Sequence, residues 1–297
     1  MLSSAAEQVK YRFDFLKYRY FWLVISVLYF VVGAAAYVMK GGFAYHIDFT
    51  GGTELHISFE KPEDIGKIRG VISDSGWKDS VIQSVGASER QFLIRIGTIT
   101  DDTEAKITRA VTQAIPENKM HVDSIQWVGA EAGSDTTQNA IIGVLLSLII
   151  LLLYIAARFE FRFGIGAVIS LVHDVLAVMV FILLTGEPIS LHVLGSILAV
   201  LGYSLNDTIV IFARIRENLL KHTGASEYQL FNLSINQTLK RTLLTSGATA
   251  LSALALVIWG GEALRGLSVV LLVGIIVGTY SSIYIASPAT LAIKQKN

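Results

Sequence analysis

Apolar residues dominate six long stretches of the chain, and each stretch is long enough to cross a lipid bilayer as a helix. A hydrocarbon core about 30 Å thick needs about 20 consecutive, mostly apolar residues in helical form. The stretches lie near residues 20–39, 139–157, 164–185, 190–213, 242–260 and 266–290. The hydrophobic pattern therefore predicts a mainly α-helical membrane protein with six transmembrane helices.

The chain between the first two stretches alternates between extended and helical patterns, which is typical of a folded domain. Helical patterns cover residues 62–76 and 101–115, and extended patterns cover 45–60, 79–86, 90–97 and 119–129. The order βαββαβ is that of a ferredoxin-like α+β domain. Pro62 suits the first turn of one helix, and Asp101 with Asp102 suits the cap of the other.

Glycines divide this region further. Gly51 and Gly52 interrupt the first extended pattern, which predicts a bulge or a tight bend there. The segment GAEAGSD, residues 129–135, predicts a hinge or linker into the second span. These patterns give the domains that we expect, namely 1–19 as a cytoplasmic segment, 20–39 as the first span, 40–138 as the extracytoplasmic domain, 139–290 as a five-helix bundle and 291–297 as a cytoplasmic tail.

Basic residues mark the side of the membrane on which each connection lies, because cytoplasmic loops are rich in Lys and Arg. They lie before the first span, after the second, after the fourth and at the chain end: Lys10, Arg12, Lys17, Arg19, Arg158, Arg162, Arg214 to Arg241, Lys294 and Lys296. Both termini are therefore expected in the cytoplasm. The small residues of GAAAY also leave open a cleaved signal peptide in place of the first span.

Composition narrows the function classes. Hydrophobic residues make up 53% of the chain, the formal net charge is zero, and cysteine is absent. The charge balance gives no reason to expect a nucleic-acid partner, and the lack of cysteine excludes disulfides, cysteine-ligated metals and thiol catalysis. No phosphate-binding glycine loop or paired-histidine zinc motif is present in the sequence. We therefore expect neither an enzyme nor a bound cofactor or metal.

The fourth span carries an acid inside an apolar helix. Tyr203, Asp207 and Arg214 share one helical face, with Asn206 beside them. An ionisable group inside a bilayer costs about 2.5 to 3.5 kcal/mol on insertion scales and is a functional candidate by default. The alternative is that Asn206 and Asp207 lie near the membrane boundary, where water and headgroups reduce this cost.

Two further spans carry polar groups. His173 and Asp174 lie near the middle of the third span, with Ser170 one turn away, as a hydrogen-bonded relay or a structural pair that joins helices. The fifth span begins with Arg241, and Thr245 and other small polar residues follow it on one face. That stripe favours close helix packing, and Arg241 alone could be a positive-inside residue.

Several motifs together resemble the SecF family, whose members assist bacterial protein export as a pair with SecD. The motifs are GYSLNDTIVIFARIREN, NQTLKRTLLTSGATALSALAL, LVHDV and DFTGGT, and the resemblance extends over essentially the whole chain. It places the membrane acid of the family at Asp207 and its functional arginine at Arg241. The pair His173–Asp174 matches with a less defined role. Ala213 departs from the family, since many relatives have an acid there.

The resemblance implies a subunit of the Sec translocase in the bacterial cytoplasmic (inner) membrane. Its implied partners are SecD, the SecYEG channel with accessory translocase subunits, unfolded preprotein and membrane lipid, and the proton motive force is its implied energy source. Asp207, Arg241, Asp174, His173 and Asn206 are then the expected proton-coupling residues. Two alternatives remain, namely half of a proton-driven small-molecule or lipid exporter, and a membrane-anchored scaffold whose charges only join helices.

Overall fold

The computed structural model describes residues 10–78, 80–85, 88–97 and 102–293, with the backbone alone at 262 and 263. One compact unit contains the chain up to Ala44 and from Val144 onward, and the other is Tyr45–Gly143. The elements in chain order are a 3₁₀ turn (Leu16–Tyr18), α1 (Arg19–Lys40), α2 (Ile47–Thr50), β1 (Gly52–Phe59), α3 (Ile65–Asp74), β2 (Val81–Val85), β3 (Gln91–Ile96), α4 (Thr103–Ala114), β4 (Met120–Val128), α5 (Ala130–Arg158), α6 (Phe161–Thr185), α7 (Leu191–Lys221), α8 (Glu227–Trp259), α9 (Gly261–Ser281), a π-helical turn (Ser282–Ala286) and α10 (Ser287–Ala292).

Six helical segments of the described chain are long and apolar enough to cross a membrane, which confirms the prediction of six spans. They are α1, α5, α6, α7, α8 and the continuous run of α9, the π turn and α10. Where α1 ends, Gly41 adopts a left-handed conformation with φ 72°. The Lys40 ammonium there donates to the carbonyl oxygens of Leu183 (2.7 Å) and Leu184 (3.0 Å), and so satisfies two acceptors in the last turn of α6.

Small residues let α9 pack closely against α7. A Cβ atom added at Gly274 would lie 2.0 Å from Val200 Cγ2, and one added at Gly278 would lie 2.9 Å from Ser204 Cβ. Neither position has room for a side chain unless the helices move apart. The small-residue pattern of the last span is therefore a packing surface.

The second unit is a ferredoxin-like domain, as predicted. Its four strands form an antiparallel sheet in the order β2-β3-β1-β4. Central residues pair across both neighbours of β1, where Leu55 lies opposite Ile94 on β3 and Ile125 on β4. Apolar side chains of the sheet pack with those of α3 and α4 in one core, which includes Leu55, Ile57, Phe92, Ile94, Ile68, Ile72, Ile107 and Val111.

Several predicted boundaries in this domain are wrong. Residues 47–50 form the short helix α2 rather than strand, and the chain then turns at Gly51 (φ 68°) and Gly52 (φ 122°). Helix α3 begins after Pro62, because the Asp64 carboxylate accepts a hydrogen bond from the Gly66 amide at 2.9 Å and caps the helix there. Asp102 precedes α4, whereas Asp101 lies outside the described residues.

The predicted linker at 129–135 is also wrong, because α5 already begins at Ala130. Gly133 is required for close packing rather than for flexibility. A Cβ atom there would lie 2.8 Å from the Gly51 backbone nitrogen and 3.2 Å from the Phe49 carbonyl oxygen. Residues 294–297 of the predicted tail lie outside the described residues, as do residues 1–9 of the predicted N-terminal segment, whereas Leu291 and Ala292 of that tail belong to α10.

Candidate functional site

Asp207 lies between two helices of the membrane unit. Asp207 is part of α7 and is only 5% exposed. The Ser246 hydroxyl of α8 donates to Asp207 Oδ2 at 2.8 Å, and the Arg241 guanidinium of the same helix interacts electrostatically with this carboxyl. Arg241 itself lies at the surface of the chain. The structure therefore brings together a buried acid, a hydroxyl donor and an exposed cation.

Polar residues on the outer side of α7 and α8 extend this site to the surface of the chain. Asn206 and Thr245 are exposed, and Tyr203 is 46% exposed. Gly202 and Gly247 are open as well, since a Cβ atom at either would meet nothing within 4 Å. Two apolar spans thus share an open face that carries polar side chains and shallow, small-residue positions.

A second polar group surrounds Asp174, which is completely buried on α6. The Ser204 hydroxyl of α7 donates a short hydrogen bond to Asp174 Oδ2. The imidazole of His173 lies on the other side, with Nδ1 3.3 Å from Asp174 Oδ1. Both carboxylate oxygens of this buried acid therefore have polar partners.

The chain of contacts continues from His173 to α1 and α9. His173 Nε2 lies 3.0 Å from the Ser26 hydroxyl, which lies 2.8 Å from the Tyr280 hydroxyl. The Tyr280 hydroxyl donates to the Trp22 carbonyl oxygen at 3.0 Å. This path joins α6, α1 and α9 through one buried row of polar atoms.

The predicted site residues therefore fall into two groups. Asp207 and Arg241 form a group between α7 and α8, whereas His173 and Asp174 form a group between α6, α1 and α7. Ser170 does not join the predicted relay, because its hydroxyl donates to the Ser281 hydroxyl at 3.1 Å. The cause is that α7 contacts both α6 and α8. On one side its Ser204 binds Asp174 of α6, and on the other side its Asp207 binds Ser246 of α8.

Other polar residues of these spans have local partners. Arg214 binds Glu217 and Gln237, each at 2.5 Å, beyond the Asp207 site. Thr245 donates to the carbonyl oxygen of Arg241 at 3.0 Å, and Ser252 does the same to Ala248 at 3.1 Å. These bonds stay within α8, as expected for hydroxyl residues that serve helix packing.

Sequence reasoning missed the hydroxyl groups that contact His173 and Asp174. Ser26 and Ser204 are the clearest examples, with exposures of 6% and 2%. A single serine inside an otherwise apolar run is a usable signal, because its hydroxyl needs a partner in the membrane. The signal does not reveal which partner, since that depends on how the helices pack.

The domain holds a separate charge cluster around Glu54, which is 3% exposed. Arg95 Nε donates to Glu54 Oε2 at 2.6 Å, and His46 and His56 each place Nε2 3.1 Å from this carboxylate. Burial raises the pKa of Glu54, but these three partners outweigh it and hold the pKa well below its usual range. Burial lowers the pKa of His46, whereas Asp48 and Glu54 together raise it to about 9.

These groups do not form a metal centre. In the described part of the chain, no set of three or more His, Asp or Glu side chains is placed to hold a metal ion. The cluster is an ion-pair network in which each buried charge has an opposite charge beside it.

The chain is similar to proteins of the export machinery. The family model for the C-terminal part of the SecD/SecF protein export membrane proteins matches residues 107–296. Protein translocase subunit SecF of Pseudomonas aeruginosa is 39% identical over 92% of this chain and 89% of its own length. Its counterpart in Escherichia coli O157:H7 is 36% identical over 96% of this chain and 88% of its own length.

Solved structures of SecDF have a fold similar to that of this chain. The crystal structure of SecDF from Thermus is 35% identical to this chain, and the two superpose with a TM-score of 0.85 over 98% of this chain. This chain spans 39% of the length of that SecDF chain. A SecDF structure in a super-membrane-facing form superposes with a lower TM-score of 0.66 over 96% of this chain.

Proposed function

The chain belongs to the SecF family of protein export membrane proteins, and we propose that it is the SecF-type subunit of a bacterial Sec translocase. It is a multi-pass membrane protein whose relatives are named translocase subunits rather than enzymes. In this role it assists passage of unfolded preprotein through the SecYEG channel, with accessory translocase subunits, across the cytoplasmic membrane. Both termini lie in the cytoplasm and the domain lies outside, in accord with the distribution of Lys and Arg.

SecD is the proposed partner within the membrane. The family model is described as SecD/SecF and the similar Thermus protein is named SecDF, of which this chain spans 39%, which supports a SecD unit as its neighbour in the membrane. The open polar face of α7 and α8 is a suitable surface for that unit. Polar side chains in a membrane usually face another helix or water rather than lipid.

The proton motive force is the proposed energy source, without a cofactor. One charge that crosses the membrane potential releases about 2.3 kcal/mol per 100 mV, which is enough to shift a two-state equilibrium severalfold. Asp207 is the group that takes up and releases the proton. When Arg241 approaches, it favours the carboxylate, and when Arg241 withdraws, burial favours the neutral acid.

The observation that carries this proposal is the environment of Asp207. The carboxyl is buried, accepts one hydrogen bond from Ser246, and lies near an arginine that is exposed rather than fixed in a direct ion pair. A structural ion pair would hold the arginine against the acid. The exposed position of Arg241 supports a mechanism in which the distance between the two groups changes.

Replacing Asp207 with Asn tests the proposal. Asn has nearly the same shape and still accepts the Ser246 hydrogen bond, but it cannot gain or lose a proton. In energised vesicles that contain the translocase and a pre-bound polypeptide, Asp207→Asn should abolish the increment of export that an uncoupler removes from wild type, while assembly with SecD is retained. If the mutant keeps the full uncoupler-sensitive increment, Asp207 is not the coupling residue.

Two companion variants separate coupling from helix packing. Arg241→Lys keeps the positive charge but loses the planar guanidinium, so partial activity would show that Arg241 acts through its charge. The scaffold alternative predicts that Asp207→Asn keeps or improves function, because a neutral amide inserts into the membrane more easily than an acid. Ser246→Ala removes the hydrogen bond and leaves Asp207 able to titrate, so it should weaken coupling without abolishing it.

One observation gives the exporter alternative a place for its ligand. A cleft of about 290 Å³ in the domain is lined by residues of α3, its N-terminal approach and two strands: Pro62, Glu63, Asp64, Ile65, Ser84, Glu89 and Phe92. Ligand pockets of proteins usually measure about 300 to 1,000 Å³, so this cleft is at their lower limit. If the chain is an exporter, cells without its gene should lose drug tolerance and keep normal protein export. If it is a SecF subunit, such cells should be impaired in protein export and keep their drug tolerance.

A further inference from the structure

A column of hydroxyl residues runs along the face of α8 that packs against α7. Its members follow one another at intervals of four residues, about one helical turn, and are Ser234, Thr238, Thr242 and Ser246. Both ends of the column contact α7, since Ser234 Oγ accepts from the Asn218 amide at 2.8 Å and Ser246 donates to Asp207 at 2.8 Å. Thr238 and Thr242 are buried between these two contacts, so the column faces α7 along its whole length.

Thr242 differs from the other members in its hydrogen bonding. Ser234 donates to the Leu230 carbonyl oxygen at 2.7 Å, and Thr238 donates to the Ser234 carbonyl oxygen at 2.9 Å. Thr242 is only 1% exposed, yet its Oγ1 has no hydrogen-bond partner in the part of the chain that the structure describes. A buried hydroxyl without a protein partner is costly, and an ordered water molecule is the usual group that satisfies it.

Asp207 provides the second partner that such a water needs. Ser246 donates to its Oδ2, whereas Oδ1 has no hydrogen-bond partner among the described residues. Thr242 lies about 6 Å from Ser246 along α8, one turn closer to the start of that helix. One water with two hydrogen bonds spans about 5.5 Å. A water between Thr242 Oγ1 and Asp207 Oδ1 therefore fits the spacing of the two side chains.

The position of Thr242 also indicates where this water leads. On the face of α7 that carries Asp207, Ile211 comes next and Arg214 follows. Ile211 is apolar and 1% exposed, whereas the Arg214 side chain is 34% exposed and binds Gln237 of α8. Arg214 lies about 10 Å from Asp207 along the helix. Thr242 thus supplies a polar group at the apolar level between the buried acid and the exposed polar residues.

We propose that Thr242 positions a water molecule beside Asp207 and that this water connects the acid to the cytoplasmic side of the membrane. When the neutral acid releases its proton, the O–H bond of the carboxyl breaks as an O–H bond forms on the water. The water then passes one of its protons to solvent near Arg214, and the carboxylate keeps its hydrogen bond from Ser246. This route rests on the proposed function and topology, whereas the water site rests on the contacts of Thr242 and Asp207.

Water-edited solid-state NMR of the full chain in lipid bilayers, with carbon-13-labelled threonine, tests the water site. The matched control is Thr208, which follows Asp207 on α7, is also 1% exposed, and has its hydroxyl 3.0 Å from the Ser282 hydroxyl. The two signals are assigned by their loss in Thr242→Ser and Thr208→Ser. Magnetisation from water should reach Thr242 severalfold faster than Thr208. Equally slow transfer to both residues would show that no water lies at Thr242 and would overturn the proposal.

Export measurements test the route. Thr242→Val replaces the hydroxyl with a methyl group, and Thr242→Ser keeps the hydroxyl. In energised vesicles Thr242→Val should lower the uncoupler-sensitive increment of export severalfold, while Thr242→Ser retains it. The melting temperature of Thr242→Val should not fall, because the change breaks no hydrogen bond of the described chain. A lower melting temperature with a full increment would assign Thr242 a packing role and contradict the proposal.

The same assays separate this proposal from the coupling role of Asp207. If Asp207→Asn abolishes the increment and Thr242→Val keeps it in full, the proton leaves by another route and only the present inference is wrong. If Asp207→Asn keeps the increment, the proposed function fails and the route fails with it. The NMR comparison of Thr242 with Thr208 then decides the water site by itself.

Discussion

Glu54 has three positively charged or chargeable partners within hydrogen-bond distance, and this makes the domain sensitive to pH. The folded-state pKa of His46 is raised to about 9 from the ordinary value of 6.5. Its contribution to stability is therefore fully present below pH 6.5 and is lost as the pH rises through about 9. The pKa of Glu54 is lowered from 4.5, so its contribution is present above pH 4.5 and is lost as the pH falls through the folded-state pKa.

Hydrogen exchange of the full chain tests the contribution of His46. After correction for intrinsic exchange rates, protection of β1 amides should fall about fivefold between pH 6.5 and 9, which corresponds to about 1 kcal/mol for a partly screened pair. His46→Gln should remove this pH dependence. His121→Gln, which changes an exposed histidine of the same domain, is the matched control and should behave as wild type. An unchanged slope in His46→Gln would assign the pH dependence to another group.

At the scale of single residues, the sequence identifies the acids better than their partners. Asp207 and Asp174 stand out because a carboxyl in an apolar helix is rare and costly. Ser246 and Ser204 do not, since hydroxyl residues are common in membrane helices and can bond to their own backbone. Which hydroxyl turns toward which acid depends on the rotation of neighbouring helices, and the sequence of one helix does not determine that rotation.

Helices α7 and α9 are held together by contacts that leave no space between them. Replacing Gly274 with Ala would place a methyl group where Val200 Cγ2 would be 2.0 Å away, so the helices must separate or Val200 must change conformer. We expect Gly274→Ala to destabilise the membrane unit by about 1 to 3 kcal/mol, the usual cost of overpacking. Gly247→Ala on α8 is the control, because nothing lies within 4 Å of its added Cβ atom and Ala favours a helix.

Thermal unfolding of the two variants in the same lipid provides the measurement. The melting temperature should fall for Gly274→Ala and should stay equal or rise slightly for Gly247→Ala. Equal melting temperatures would show that α9 can shift away from α7 at little cost. The closely packed glycines would then mark a movable contact rather than a fixed one.

At the scale of whole elements, long hydrophobic patterns predict which helices form, and capping residues and close contacts determine where each helix begins and ends. Each span appears in the sequence because about 20 apolar residues in succession have few other uses. Helix α3 begins later than the sequence predicts, because Asp64 caps it and Pro62 stays outside it. The sequence of 129–135 does not distinguish a linker from a helix, because glycine serves both flexible linkers and close backbone contacts. The contact of Gly133 with Gly51 makes the distinction.

The sequence pattern does not predict the π-helical turn Ser282–Ala286. Its Ser282 hydroxyl lies 3.0 Å from Thr208 Oγ1, and the Ser287 hydroxyl donates to the Ser282 carbonyl oxygen at 3.0 Å. Side-chain hydroxyl groups therefore form hydrogen bonds around the irregular backbone of this turn. Such turns occur often at functional sites. This one follows directly after Ser281, in the same span as Tyr280, whose hydroxyl contacts Ser26.

At the scale of the whole molecule, the exposed residues of α7 and α8 form a polar face on the surface of the membrane unit. Arg241, Asn206 and Thr245 lie at the surface of the chain on otherwise apolar spans. In lipid each strongly polar group there would carry an insertion cost of up to about 3 kcal/mol. Hydropathy alone predicts the number of spans, but it cannot show this face, because the face depends on which sides of the helices the rest of the chain leaves open.

The face should be covered when SecD is present. Because the chain lacks cysteine, a single nitroxide label can be placed at Thr245, or at Leu153 of α5, which is 64% exposed on an apolar helix and serves as the control. Collision of each label with oxygen dissolved in the lipid is measured in nanodiscs with and without co-expressed SecD. We expect SecD to reduce collisions severalfold at Thr245 and much less at Leu153, since only the polar face needs a partner to avoid lipid. Equal accessibility of Thr245 in both preparations would place SecD elsewhere, and the polar groups around Arg241 would then have to face water or a second copy of this chain.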